Sequence, residues 1–99
     1  MVSNIKKDVF RKKQEIVSRH IAGETILVPV MGKLAEMQKI FTLNSVGEFI
    51  WSRLDGEKGL QEIRDEIVAA FEVEKEQAAA EIEEFISELM KEDLIEAVQ

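Results

Sequence analysis

Apolar positions alternate with polar ones in the first half of this chain and recur at helical spacing in the second. From Glu15 to Ile21 the pattern alternates, with Ile16, Val17 and Ile21 set among polar residues. Ala22-Gly23 is a turn signal, and Glu24 to Val30 is rich in β-branched residues, so the two runs predict a hairpin. Pro29 cannot donate to a ladder, which ends the second strand there or puts it on an edge. Gly32 marks a further turn, and Met37 to Leu43 reads as a third strand.

The alternation of Phe41 and Leu43 stops at Asn44-Ser45, where a helical pattern begins at once. Ser45 followed three residues later by Glu48 predicts a capping box. Val46, Ile50, Trp51 and Leu54 share one helical face, and Asp55-Gly56 stops the helix. Gly56 and Gly59 flank Glu57-Lys58 in what reads as a helix–helix turn. A second helix then carries Leu60, Ile63, Ile67, Val68 and Phe71. A third helix is expected over residues 75–92, with Ala78, Ile82, Phe85, Ile86, Leu89 and Met90 on its apolar side and Glu81, Glu84 and Glu88 opposite. Residues 93–98 read as a short closing strand or an extended tail. Residues 1–14, charged throughout, are a flexible arm or a first extended segment, and residues 15–99 form a single domain. The fold class is therefore α+β: a three-stranded antiparallel sheet followed by three helices that cover its apolar face.

Ninety-nine residues suffice for one modest core. The net charge of −7 is unevenly placed. Residues 1–44 hold eight Lys/Arg against four Asp/Glu, whereas residues 45–99 hold five against sixteen. Phosphate neutralisation supplies most nucleic-acid affinity, so the acidic half argues against DNA as a partner and reads either as a solvated helical face or as a means of choosing a basic partner. There is no cysteine, which removes disulfides, thiolate metal sites and a thiol nucleophile. The N-terminus lacks the apolar stretch of a signal peptide, and no run is long enough to span a membrane, so a cytoplasmic location is expected.

Candidate chemistry is sparse. His20, beside Arg19 in a strand, is the only histidine, and no His/Asp/Glu spacing suggests a metal site. The glutamates of the third helix read as solubilising charge, the serines have no associated base, and no glycine-rich phosphate loop is present. No catalytic residue, metal or cofactor is expected. Trp51 reads as core. A binding role needs a surface instead. The third strand, with Lys39, Ile40, Phe41 and Thr42, has no proline and one charge, so its edge is available to an extended peptide unless the tail or a second copy covers it.

Residues 43–56 fit the pattern L-N-x-x-G-x-x-I-W-x-x-L-D-G, which resembles the PqqD-like family, small recognition proteins of ribosomal peptide modification pathways. Arg19 to Val28 is similar to that family's first hairpin. Glu62-Ile63 through Phe71-Glu72-Val73, and Phe85-Ile86 to Asp93-Leu94-Ile95, are similar to its helices and its ending. The resemblance implies a small winged-helix-like domain. It also implies binding of a precursor's leader peptide, added as a strand beside the third strand and packed against the third helix. The leader is then presented to a modifying enzyme, often a radical S-adenosylmethionine maturase. Carried onto this chain, the peptide-binding residues are Gln38, Lys39, Ile40, Phe41, Thr42 and Leu43 on the edge, with Ile82, Glu83, Ile86 and Met90 on the helix. Gly59 stands where the family often has Thr or Ser. The N-terminal pattern of pyrroloquinoline quinone pathway members is not evident, so the resemblance points to the peptide-binding role without naming a pathway. The protein is expected as a monomer or weak homodimer. The alternatives are a winged-helix DNA-binding regulator or a dimeric assembly module.

Overall fold

Ten elements make up the fold in the computed structural model, which describes residues 9–13, 16–37 and 39–98. Strands β1 (Val9–Lys12), β2 (Ile16–Ile21) and β3 (Glu24–Pro29) are followed by a short helix α1 (Gly32–Glu36) and β4 (Phe41–Leu43). Then come α2 (Ser45–Ser52), β5 (Asp55–Gly59), α3 (Leu60–Phe71), α4 (Lys75–Lys91) and β6 (Ile95–Ala97).

The expected antiparallel sheet is present, in the order β2-β3-β4. Ile16 pairs with Pro29 and the ladder runs to Ile21 opposite Glu24. Ala22 (φ 53°) and Gly23 (φ 83°) close it, both left-handed as a two-residue hairpin turn requires. In β4, Phe41 and Leu43 face the same side as Leu27 and Thr25, their partners in β3. This is the core side, where Thr25, Leu27, Pro29 and Leu43 are buried. The third strand is shorter than expected. Gly32 adopts φ +84° and starts a single helical turn, with the Met37 amide donating to the Lys33 carbonyl. The segment Lys33-Leu34-Ala35-Glu36, for which the sequence pattern predicts no element, is built of good helix formers.

Two expectations about the middle of the chain are corrected. The cap of α2 is Asn44, one residue earlier than the Ser45–Glu48 box: its Oδ1 accepts the Gly47 amide at 2.7 Å. Asn is at least as good a cap as Ser. Glu48 instead lies 3.0 Å from Nε2 of His20. The stretch 56–59 is not a helix–helix turn, because Asp55–Gly59 is a strand. Asp55 Oδ1 accepts the amides of Glu57 (2.9 Å) and Lys58 (3.0 Å), and Gly56 takes φ +85°. Its polar sequence carries no strand signal; pairing with β1 makes it one. β1 also pairs with β6, placing Phe10 opposite Ala97, so a second sheet runs β5-β1-β6.

Helix α3 starts at Gly59, whose amide is accepted by the Glu62 carboxylate at 3.0 Å, and ends at Glu72 in the left-handed region. α3 buries Ile63 and Ile67, while α4 buries Ala78, Ile82, Ile86 and Leu89. With Leu27, Ile50, Leu54, Leu94 and Ile95 these form one core between the two sheets and the helices. Each fully enclosed Leu or Ile contributes about 1.5–3 kcal/mol of burial. Trp51 belongs to this core, and the Lys12 ammonium lies 5.4 Å from its ring centroid. Burial pulls the Lys12 amine below its ordinary value, an effect partly offset by Asp55.

Candidate functional site

β4 is the outermost strand of its sheet, and among the described residues no strand pairs with its far side. The tail, one candidate cover, forms β6 against β1 in the other sheet. Among the described residues the edge is therefore unpaired. Thr42 is exposed and Ile40 is 60% exposed, whereas Phe41 is half-buried against the core and Leu43 is buried. Gln38 lies outside the described residues.

Helix α4 meets the residues flanking this edge at two places. At one end the Lys39 ammonium lies 3.6 Å from the Glu92 carboxylate and 6.0 Å over the Phe41 ring. At the other end Phe85 of α4 reaches α2. A Cβ added at Gly47 would sit 3.2 Å from the Phe85 ring and 3.2 Å from Asn44 Oδ1, so glycine at this position lets the two helices approach. Between them opens a cavity of about 260 Å³. Val46, Gly47, Ile50 and Phe85 form its apolar part, Asn44 stands at the strand end, and Glu81, Glu84 and Glu88 supply carboxylates along α4.

The helix residues expected in the groove are distributed differently by the packing. Ile82 and Ile86 are 3% and 7% exposed and sit in the core. Glu83 faces α3, where it lines a smaller cavity with Leu60, Gln61, Arg64 and Ala79. Met90 is 46% exposed near the C-terminal end of α4. Sequence reasoning missed Phe85 and the three glutamates beside it as groove residues. Residues 81, 85 and 88 are three or four apart and so share a side, which was a legible signal. Which neighbour that side meets was not legible.

Other polar clusters are structural. His20 Nδ1 is 3.1 Å from the Thr25 hydroxyl, on the surface between β2, β3 and α2. Glu66 accepts from Arg53 at 2.6 Å and from Lys58 at 3.0 Å, tying α3 to α2 and β5. These hydrogen bonds hold its carboxyl below the usual glutamate range, and the same contact raises Lys58. Backbone amides of Lys58 and Glu57 hold Asp55 below its ordinary value. Among the described residues no three His, Cys, Asp or Glu side chains are grouped to hold a metal ion. No described helix is long and apolar enough to cross a membrane.

The family model for coenzyme PQQ synthesis protein D (PqqD) matches residues 24–95. The chain belongs to the PqqD family. The PqqD match takes in the β4 edge, the cavity and the whole of α4. Two solved structures are similar to this PqqD-family chain. TbiB1 in complex with the TbiA(beta) leader peptide is 29% identical with a TM-score of 0.71, over 87% of this chain and 94% of that one. Lasso peptide synthetase B1 complexed with the leader peptide is 18% identical with a TM-score of 0.73, over 88% of this chain and 96% of that one, a likeness of fold. No curated protein matches the chain significantly.

Proposed function

We propose that this PqqD-family protein is a non-catalytic binder of the leader segment of a ribosomally made precursor peptide, which it presents to a modifying enzyme. The observation that carries this reading is the β4 edge, unpaired among the described residues and flanked by the Lys39–Glu92 contact with α4, in a chain related to a protein whose structure holds a leader peptide. An added strand satisfies the free donors and acceptors of the edge, and alternate side chains enter the groove. In this reading Gln38 to Leu43 supply the backbone. Ile82 and Ile86 anchor α4 on the core so that Phe85 stands in the groove, and Met90 extends its wall. Glu83, turned to α3, lies outside it. The enzyme partner is a maturase, of the radical S-adenosylmethionine class by family resemblance, and the reading requires no cofactor in this chain.

An amide NMR titration with the leader of a precursor encoded beside the gene tests it. Saturable shifts centred on residues 39–43 and on Phe85 are expected. Binding without shifts at the edge would overturn strand addition. The exposed Ile40 edge also favours a second reading, self-pairing of two β4 strands. Light scattering distinguishes them, since self-pairing gives a dimer that the peptide dissociates. DNA binding is disfavoured by α4, where Glu76, Glu81, Glu83, Glu84 and Glu88 outnumber Lys75 and Lys91. No duplex shift at moderate salt is expected.

A further inference from the structure

The cavity between α2 and α4, beside the end of β4, has an acidic wall with no counterpart among the described residues. Glu81, Glu84 and Glu88 border the cavity, and none of them makes an ion pair with another described residue. Among the described residues, the cation nearest this wall in the ion pairs of α4 is Lys39, which is engaged by Glu92 at the far end. The lysines of α4, Lys75 and Lys91, stand at its two ends. Like charges three and four residues apart repel, so Glu81, Glu84 and Glu88 weaken the free helix. Glu66 shows the contrast, because its carboxylate holds both Arg53 and Lys58. The carboxylates beside the cavity instead surround an apolar floor of Val46, Ile50 and Phe85.

We propose that the peptide occupying this groove is basic where it crosses α4, placing an apolar side chain in the cavity and a Lys or Arg against Glu81, Glu84 and Glu88. This rests on the strand-addition reading and names the ligand class of the same site. Strand geometry sets the spacing. Side chains two apart share a face about 6.5–7 Å apart, while Glu81 and Glu88 are separated by about 10.5 Å of helix rise. Residues two positions before and after the anchor share its face and come within reach of the carboxylates, which predicts the pattern basic-x-apolar, apolar-x-basic, or both. Charge complementarity of this kind sets selectivity and encounter rate as well as affinity.

The test uses a displayed library of random 14-residue peptides selected on the full chain, with binding sites located by amide shifts. Peptides that shift residues 39–43 are expected to be enriched in Lys or Arg two positions from an apolar residue. Their affinity should fall roughly tenfold for the exposed pair Glu84→Lys/Glu88→Lys. Peptides whose Lys or Arg is exchanged for Glu should regain it on that variant. Glu72→Lys/Glu83→Lys changes net charge equally without touching the wall, and should leave affinity within about twofold if the effect is local and not long-range steering. Edge-binding peptides without basic enrichment would overturn the inference while leaving strand addition intact, as would an equal loss in the control variant. Selected peptides that bind without shifting residues 39–43 would overturn strand addition, and this inference with it.

Discussion

Asn44 stands where the edge strand becomes a helix, and it serves both. Its Oδ1 closes the first turn of α2 on the Gly47 amide, and its side chain borders the cavity. Asn44→Ala should cost about 1 kcal/mol in urea unfolding, from the lost cap. Gly47 has a different reason to be there: any side chain would push on Phe85 and Asn44. Ala22 is the reverse case, a residue that fits its place poorly. It holds φ 53° in the hairpin turn, where an L-residue with an ordinary side chain is strained and Asn is tolerated. Ala22→Asn should stabilise the protein by on the order of 0.5 kcal/mol, read as a higher urea midpoint at unchanged slope.

Among the elements, β5 depends most on its surroundings. Its bend needs Gly56 at φ +85°, although the Arg11 Cβ and Val98 Cγ2 would leave a new Cβ ordinary contact distances of 3.5 and 3.9 Å. Gly56→Ala should therefore destabilise by about 1 kcal/mol through the backbone alone. Two carboxylates hold β5: Asp55 shapes its bend by accepting the amides of Glu57 and Lys58 within the strand, and Glu66 ties it to α3 through Lys58. Both are held below their ordinary values in the folded state. A lowered carboxyl pKa contributes stability that is complete above the unfolded value and is lost as pH falls through the folded one. Thermal stability should thus decline on acidification below about pH 4.5, the ordinary glutamate value. Glu66→Gln should flatten that acid limb and lower stability at neutral pH. An unchanged limb would mean that the contact with Arg53 and Lys58 contributes nothing.

At the scale of the molecule, the second sheet ties the two ends of the described chain together. Val98 donates its amide to the Val9 carbonyl at 2.8 Å, Lys13 to Leu94 at 3.1 Å, and Arg11 pairs with Glu96 at 2.7 Å. The exposed Arg11–Glu96 pair adds little by itself. The buried residues beneath it, Val9, Phe10 and Ile95, add more. Ending the chain at Leu94 removes β6 and uncovers Phe10. The loss of Ile95 burial alone is about 1.5–3 kcal/mol, and the unpaired flank of β1 adds to it. Such a truncation should melt far below the intact protein and be cleaved first within residues 9–13 by a dilute protease. Because β6 pairs with β1, the closing strand is not free to cover β4.

Local patterns were enough to place the hairpin, the three long helices and the α+β class. The reason is that periodicity, a two-residue turn and helix stops act between near neighbours in the chain. The open character of residues 39–43 was also legible, since a strand with no proline and a single charge is an unprotected edge. The one-residue shift of the cap from Ser45 to Asn44 was a choice between two good caps, decided by which side chain reaches the Gly47 amide. Beyond that, tertiary structure decided. Asp55–Gly59 is polar and glycine-containing, and becomes a strand only because β1 is brought beside it. Val9 and Phe10 acquire their role only when residues 95–97 return to pair with them. On α4 the sequence placed Ile82 and Ile86 on an apolar side together with Phe85, and Glu81, Glu84 and Glu88 opposite. Only the packing of α2, α3 and the sheet around that helix decided that Ile82 and Ile86 are core, that Glu83 turns to α3, and that Phe85 with its glutamates faces the groove. A helix records its own faces in its sequence, but not the neighbours those faces will meet.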